Sequence, residues 1–282
     1  MKFTKMQGIG NDYIYVDCFK DQVARPDQVA RMVSDRRFGI GGDGLILICP
    51  SKLADCRMEM YNADGSQGAM CGNGIRCVGK YVYDHGLVPQ ERDTITVETA
   101  SGLRTLAVHK EWEGGAWKAL ALTVDMGEPK LTSTLPEPIL VADRQLEFIG
   151  ISVGNPHAVY FTDQVEALDL EHLGPHFENH PRFQPERVNS EFVQVLDRRN
   201  IRMRVWERGS GETWACGTGA SASVYACVLT GRTEDAVTVK LTGGELLIRY
   251  DRGKGHLFMT GPAVEVFTGN IDIPENLYYD YE

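Results

Sequence analysis

No apolar run in the sequence approaches the roughly 18–20 residues that a membrane-spanning helix needs, so no membrane association is expected. Positive charge is also scarce. The 39 acidic residues outnumber 29 basic ones, the net charge is -10, and no block of five or six like charges occurs. A protein that reads a phosphate backbone needs a basic face, so nucleic acid is not the expected partner. The opening residues, Met1-Lys2-Phe3-Thr4-Lys5-Met6-Gln7-Gly8, lack the apolar core of a secretion signal, which points to the cytoplasm. The seven cysteines are odd in number and never fall in Cys-x-x-Cys spacing, so free thiols are expected. Low-complexity segments are missing too. What remains has an ordinary globular composition, and 282 residues suffice for one large domain or two modest ones.

Strand signals dominate. Short apolar or alternating runs lie at 13–17, 45–49, 94–98, 119–124, 191–196, 237–241 and 245–250, most bounded by Gly, Pro, Asn or Asp. Helices are expected over 25–35, 75–84 and 220–229; the last two follow Gly-rich turns and stop at Gly86 and Gly231. The 111–118 stretch, with Gly114-Gly115, reads as an exposed hairpin or linker, and 129–138 as a loop.

An internal repeat organises these pieces. Met70-Cys71-Gly72-Asn73-Gly74 resembles Ala215-Cys216-Gly217-Thr218-Gly219, with the cysteines 145 residues apart. At the same offset, Arg57-Met58-Glu59-Met60-Tyr61-Asn62 matches Arg202-Met203-Arg204-Val205-Trp206-Glu207, and Gly86 matches Gly231. Gly10-Asn11 and Gly154-Asn155 lie 144 apart. Several separate segments keeping nearly one offset argue for two versions of one β-rich unit around a single helix. Duplicated units commonly face each other across a cleft.

The duplicated cysteine carries the chemistry. The first N–H groups of a helix lack partners inside it, and glycines let a ligand approach them closely. Cys-Gly-[Asn/Thr]-Gly before a helix is therefore a ready carboxylate site, and the same field favours a thiolate. Two such motifs would place one sulfur on each side of a substrate. Inverting a stereocentre requires removal of a proton from one face and delivery to the other, by one thiolate and one thiol. The developing carbanion would gain from helix N-termini aimed at its carboxylate. Buried packing is the ordinary fate of a lone cysteine, and Cys18, Cys49, Cys56, Cys77 and Cys227, which lack the Gly-rich context, are read that way.

Beyond the cysteine turns, the sequence resembles the diaminopimelate epimerase family from end to end. The resemblance rests on Met6-Gln7-Gly8-Ile9-Gly10-Asn11-Asp12, Gly39-Ile40-Gly41-Gly42-Asp43-Gly44, Tyr61-Asn62-Ala63-Asp64-Gly65-Ser66 and Met70 to Cys77. It continues through Gly154-Asn155-Pro156-His157 and Glu207-Arg208-Gly209-Ser210-Gly211-Glu212-Thr213 into Cys216-Gly217-Thr218-Gly219. It implies an α/β chain of the α+β type, with two pseudo-symmetric domains, each a barrel-like sheet around a central helix. It implies interconversion of LL- and meso-2,6-diaminopimelate without cofactor or metal, on the route to lysine and cell-wall precursors, usually by a homodimer. Carried over by position, Cys71 and Cys216 are the catalytic thiols, and His157 and Glu207 tune their protonation. Gly72, Asn73, Gly217 and Thr218 bind substrate at the helix starts, while Asn11, Asn62, Asn155, Asn189, Glu207 and Arg208 line the pocket. The side chains suit a diamino diacid: amides donate or accept, Glu207 can pair an ammonium, and Arg208 can grip the distal carboxylate in bidentate fashion. Three positions depart from the family's usual wording. Gly44 stands where Gln is frequent, Trp206 where Tyr is common, and Arg187-Val188-Asn189-Ser190-Glu191 where Gly-x-Asn-Val-Glu is usual.

Other signals are discounted. Gly39-x-Gly41-x-x-Gly44 matches a dinucleotide fingerprint in letters, but a strand-like run follows it instead of a helix. His172, His176 and His180 have metal-face spacing, yet Gly174-Pro175 should interrupt the helix that this needs. Lys80 and Lys240 have no feature that singles either out as a pyridoxal phosphate lysine. Rival readings are a proline racemase-like enzyme, a PhzF-like isomerase, a non-catalytic amino-acid-binding module, and a redox protein in which Cys71 and Cys216 pair. The expected domains are residues 1–117 and 118–262, with 263–282 returning to the first.

Overall fold

The computed structural model describes residues 1–274. The chain divides into two compact units, Met1–Val124 with the described part of Gly261–Glu282, and Asp125–Thr260. Both are mixed α+β and strand-rich. The expected boundary at 117/118 falls inside a strand, β8 below, and the division comes at Val124/Asp125. The part of the expected returning segment beyond residue 274 lies outside the described residues.

The first unit holds β1 (Lys2–Gly8), β2 (Asn11–Asp17), α1 (Pro26–Ser34), β3 (Gly44–Cys49), β4 (Cys56–Asn62), β5 (Gln67–Gly68), α2 (Gly72–Asp84), β6 (Thr94–Thr99), β7 (Gly102–Glu113) and most of β8 (Ala116–Gly127). The second holds β9 (Lys130–Leu131), β10 (Glu137–Val141), β11 (Arg144–Ser152), β12 (Pro156–Phe161), α3 (Leu170–Glu178), β13 (Asn189–Asp197) and β14 (Asn200–Glu207). It continues with β15 (Gly211–Thr213), α4 (Gly217–Leu229), β16 (Ala236–Leu241), β17 (Gly244–Asp251) and most of β18 (His256–Pro262). Strand β19 (Val264–Asn270) returns to the first unit and pairs antiparallel with β1.

The two units share one topology. In the first, β1 pairs with β2, β2 runs parallel to β3, β3 pairs with β4, and β4 runs parallel to β6 before β7. In the second, β11, β12, β13, β14, β16 and β17 repeat that sequence, with parallel joins at β12–β13 and β14–β16. Parallel neighbours require a crossover connection. The crossovers carry α1 and α2 in the first unit, α3 and α4 in the second. Both α2 and α4 have 13 residues, and both ends keep the offset of 145 seen between the cysteines.

Helix α4, Gly-Thr-Gly-Ala-Ser-Ala-Ser-Val-Tyr-Ala-Cys-Val-Leu, buries ten of its 13 residues. A helix without a polar face belongs in a core, and its small side chains let the strands of its own unit close around it. Each central helix stops in a Schellman turn. Gly86 (φ 68°) and Gly231 (φ 67°) take the left-handed conformation that glycine tolerates. Leu87 N–H donates to Val82 O at 3.0 Å, and Arg232 N–H to Cys227 O at 2.9 Å.

Strand and helix expectations lie within observed elements, apart from end residues at 25 and 35. The 111–118 stretch is a hairpin between β7 and β8 that turns at Gly114-Gly115. The 129–138 stretch is not wholly a loop, since β9 occupies Lys130–Leu131 and β10 begins at Glu137. A second local expectation is also overturned. Gly174-Pro175 does not interrupt a helix: α3 runs through both. Asp169 caps its start by accepting from His172 N–H at 3.3 Å, and Leu170, Gly174, Phe177 and Glu178 are buried. Burial of that face outweighs the one backbone hydrogen bond that Pro175 removes. A Cβ on Gly174 would lie 2.1 Å from the Trp206 indole, so the glycine is there to let α3 pack directly on that ring.

Candidate active site

Cys71 and Cys216 are the N-caps of α2 and α4. Both have extended backbone (φ -120°, ψ 122° and φ -125°, ψ 109°), as a cap residue should. Each sulfur accepts the N–H three residues on, from Gly74 at 3.4 Å and Gly219 at 3.3 Å. The sulfur thus takes the place that a Ser or Asp oxygen usually has, and sits in the partial positive charge of a helix start. A Cβ at Gly74 would meet Ile46 Cδ1 at 2.8 Å, and one at Gly219 would meet Glu191 Oε1 at 2.6 Å. The last glycine of each turn therefore faces a side chain, Ile46 or Glu191, that would have to shift to admit a Cβ.

Around Cys71, the Sγ–H donates to Asn11 Oδ1 at 3.2 Å. Asn11 is held in turn: its Nδ2 donates to Asp43 Oδ2 at 2.7 Å, as does Asp12 N–H at 3.0 Å. Arg36 bridges Asp12 and Asp43, and Lys5 pairs with Asp12 at 2.5 Å. Burial pushes the Asp12 carboxyl up, but Arg36 and Lys5 together outweigh it and hold the group below its usual value. Burial lifts Asp43 above its own. Asn73 is buried and accepts from Arg76 Nη1 at 3.0 Å. Asn62, at the end of β4, donates to Ser66 Oγ at 2.9 Å. Gly72 opens α2; its carbonyl accepts from Arg76 Nη1 at 3.3 Å.

Around Cys216, the sulfur lies 3.5 Å from Thr218 Oγ1. Asn155 Nδ2 donates to that oxygen at 3.4 Å, and Asn155 Oδ1 lies 2.9 Å from His157 Nε2. His157 Nδ1 is 2.7 Å from Glu191 Oε1. Glu207, at the end of β14, accepts from Thr213 Oγ1 at 2.5 Å and also bonds with Cys216. Burial raises the Glu207 carboxyl above its usual value. Burial, then the carboxylates of Glu207 and Glu191, drive the Cys216 thiol well above the usual range; Thr218 and Gly219 oppose this only in part. Asn189 fixes the next turn by accepting Arg208 N–H at 3.0 Å and donating to Pro156 O at 3.1 Å. The Arg208 guanidinium is exposed and donates to Glu186 O at 2.8 Å. Gly217 is the first residue of α4, and Ser221 Oγ donates to its carbonyl at 2.9 Å.

The sequence-derived residues therefore gather in each unit about a sulfur cap: Asn11 and Asn73 with Cys71, and Asn155, His157, Glu207 and Thr218 with Cys216. Asn62 and Arg208 contact neither sulfur in the hydrogen bonds above. Three residues escaped the sequence reading. Arg76 is fully buried in α2 and electrostatically engaged with Cys71. Glu191 is fully buried against His157. Glu178, also buried, accepts from Trp206 Nε1, Arg187 Nη1 and Gly209 N–H at 2.7, 2.7 and 2.9 Å, and so holds the turn that carries Glu207 and Arg208. For Arg76 the available signal was a charge set between apolar neighbours; Glu178 and Glu191 carry no local signal. At Gly44, a Cβ would lie 2.1 Å from Tyr61 O, so the frequent Gln has no room on this backbone. His172 and His176 have ring centroids 5.9 Å apart, and no group of three or more His, Cys, Asp or Glu among the described residues is arranged to hold a metal ion.

The sequence profile of the diaminopimelate epimerases matches residues 3–132 and 149–266, most of the chain and both sulfur caps. The chain belongs to the diaminopimelate epimerase family. Relatives include the diaminopimelate epimerases of Acetivibrio thermocellus, 50% identical over 98% of this chain and all of that protein, and Agathobacter rectalis, 51% identical over 97% and 100%. That of Methanococcus maripaludis is 49% identical over 97% and 100%. Among solved structures, a probable proline racemase from Agrobacterium radiobacter superposes with a TM-score of 0.74 at 15% identity, over 98% of this chain and 94% of that one. A hydroxyproline epimerase from Agrobacterium vitis gives 0.72 at 15%, over 96% and 90%. These distant structures establish the fold alone. As a diaminopimelate epimerase by family, the chain is an isomerase.

Proposed function

We propose that this epimerase interconverts LL- and meso-2,6-diaminopimelate without a cofactor, with Cys71 and Cys216 as its two acid–base groups. The observation that carries the reading is the repeated sulfur cap: the same cysteine, in the same backbone conformation, at the start of two matched helices. A thiolate removes the α-proton, the carbanion forms, and the other thiol delivers a proton to the opposite face. The reverse reaction exchanges the roles. The backbone N–H groups of the first helical turns, at Gly72 and Asn73 and at Gly217 and Thr218, suit a substrate carboxylate and the charge that develops on it. His157 and Glu207 set the protonation of Cys216. Asn11, Asn62, Asn155 and Asn189 supply polar contacts, with Glu207 for an ammonium and Arg208 for the distal carboxylate. A homodimer in the cytoplasm, serving lysine and cell-wall precursor synthesis, completes the proposal; no helix among the described residues is long and apolar enough to cross a membrane.

The deciding experiment follows α-hydrogen exchange of LL-diaminopimelate in D2O for the native chain, Cys71→Ser and Cys216→Ser. The proposal requires exchange with epimerisation in the native chain and loss of epimerisation in both variants. Binding without exchange by the fully reduced native chain would refute it and favour a binding module or another substrate.

A further inference from the structure

Glu191 lies on β13 with no solvent exposure, and His157, its partner, is equally enclosed. Burying a carboxylate and an imidazole costs several kcal/mol when geometry is poor, and apolar residues of similar size often serve packing as well or better. Among the described residues Glu191 Oε2 has no hydrogen-bond partner, so His157 is the group that answers this carboxylate. The location is specific. A Cβ on Gly219 would lie 2.6 Å from Glu191 Oε1 and 3.2 Å from Cys216 Sγ, so carboxylate and thiol border the same small space under the first turn of α4.

From Glu191 a continuous line of polar contacts leads to the sulfur. His157 Nδ1 meets Glu191 Oε1 at 2.7 Å, His157 Nε2 meets Asn155 Oδ1 at 2.9 Å, and Asn155 Nδ2 donates to Thr218 Oγ1 at 3.4 Å. Thr218 Oγ1 is 3.5 Å from Cys216 Sγ. Asn155 Nδ2 is spent on Thr218, so its Oδ1 accepts from His157 Nε2, and a contact at each ring nitrogen fixes the ring plane. The register supports this rigidity: β12 and β13 run parallel with His157 opposite Asn189 and Val159 opposite Glu191.

We propose that Glu191 is a positioning residue for Cys216. By holding Nδ1 it fixes the His157 ring, and through Asn155 and Thr218 it sets the contact that orients the thiol for proton delivery and removal. The proposal rests on Cys216 being one of the two acid–base groups. Supporting residues of this kind typically carry 10- to 100-fold effects.

Glu191→Ala should lower kcat by roughly 10- to 100-fold with little change in KM. Glu191→Gln keeps an oxygen for Nδ1 and should recover most of the loss. His157→Ala added to Glu191→Ala should cost little more than either alone, since both lie on one line of contacts. The readout that mere loosening would not give is directional. With α-deuterated substrates, Glu191→Ala should raise the isotope effect in the direction where Cys216 removes the proton and lower it in the other. Native kcat in Glu191→Ala, isotope effects that change equally in both directions, or additive losses with His157→Ala would each overturn the proposal. So would a Gln variant as impaired as the Ala variant, because charge and not the bond would then be required. Should Glu191→Ala fail to fold, the Gln variant and the isotope effects in His157→Gln carry the same test. Full epimerisation by Cys216→Ser would instead defeat the underlying assignment of Cys216, whatever Glu191 does.

Discussion

The Trp206 indole Nε1–H donates to Glu178 Oε2 at 2.7 Å inside the second unit, joining the end of α3 to the strand that delivers Glu207. Arg187 and Gly209 N–H share the same carboxylate. Glu178→Ala leaves a buried indole N–H and a backbone N–H without their acceptor, at about 1–3 kcal/mol each when unsatisfied. The variant should melt lower by roughly 2–4 kcal/mol of stability, measured by thermal or urea unfolding, and its KM for diaminopimelate should rise as the Glu207–Arg208 turn loosens. Native stability in Glu178→Ala would show the cluster to be incidental.

Gly174→Ala is expected to be severe for so small a change. The added Cβ falls 2.1 Å from the Trp206 ring, and neither a helix backbone nor an indole yields easily. Overpacking should cost at least about 3 kcal/mol. The double variant Gly174→Ala with Trp206→Leu should regain stability relative to Gly174→Ala alone, and failure to do so would place the strain elsewhere.

The sulfur caps separate chemistry from structure. Serine also caps helices well, whereas loss of a capping side chain costs about 1 kcal/mol. Cys71→Ser and Cys216→Ser should therefore unfold within about 1 kcal/mol of the native chain while epimerisation falls by about 100-fold or more. Cys→Ala at either position should add the stability loss.

Cys216 should respond to pH unlike an ordinary thiol. Burial and the neighbouring carboxylates raise it, so the folded state favours the protonated form more than the unfolded state does. That contribution to stability is complete below the unfolded value of about 9 and is lost as pH climbs above it. The native chain should lose stability in alkali more steeply than Cys216→Ser. Alkylation of Cys216 by iodoacetamide, followed by peptide mass spectrometry, should stay slow at neutral pH and lag behind the half-buried Cys71. Faster alkylation at Cys216 would contradict this.

Much of this architecture is legible in the residues, for definable reasons. The Cys-Gly-[Asn/Thr]-Gly turns announce themselves because cap, close approach and helix start each demand a particular residue type. Gly86 and Gly231 mark helix ends because a positive φ selects glycine. Helix α3 was hidden, since local propensity at Gly174-Pro175 opposes it and only its packing against Trp206 rewards it. Glu178 and Glu191 were hidden for a related reason. Their importance lies in partners 28 and 34 residues away in sequence, and nothing local reports that these carboxylates are buried.

The matched helices bear on the ancestry of the chain. From α2 to α4 the start and the end keep an offset of 145, whereas β6 and β16 begin 142 apart, so three residues separate the loops that follow. Length has drifted in the connection and has been held from sulfur to helix end. Under the proposed two-thiol mechanism, a forebear half this long would carry one capping thiol and would need a second copy of itself to invert a stereocentre. Two copies joined in one chain are released from identity. Arg76 and Ser221 occupy equivalent sites and both bond the first carbonyl of their helix, yet one brings a cation beside its cysteine and the other brings none. A pair of identical subunits could not have made its two capping cysteines unequal in this way.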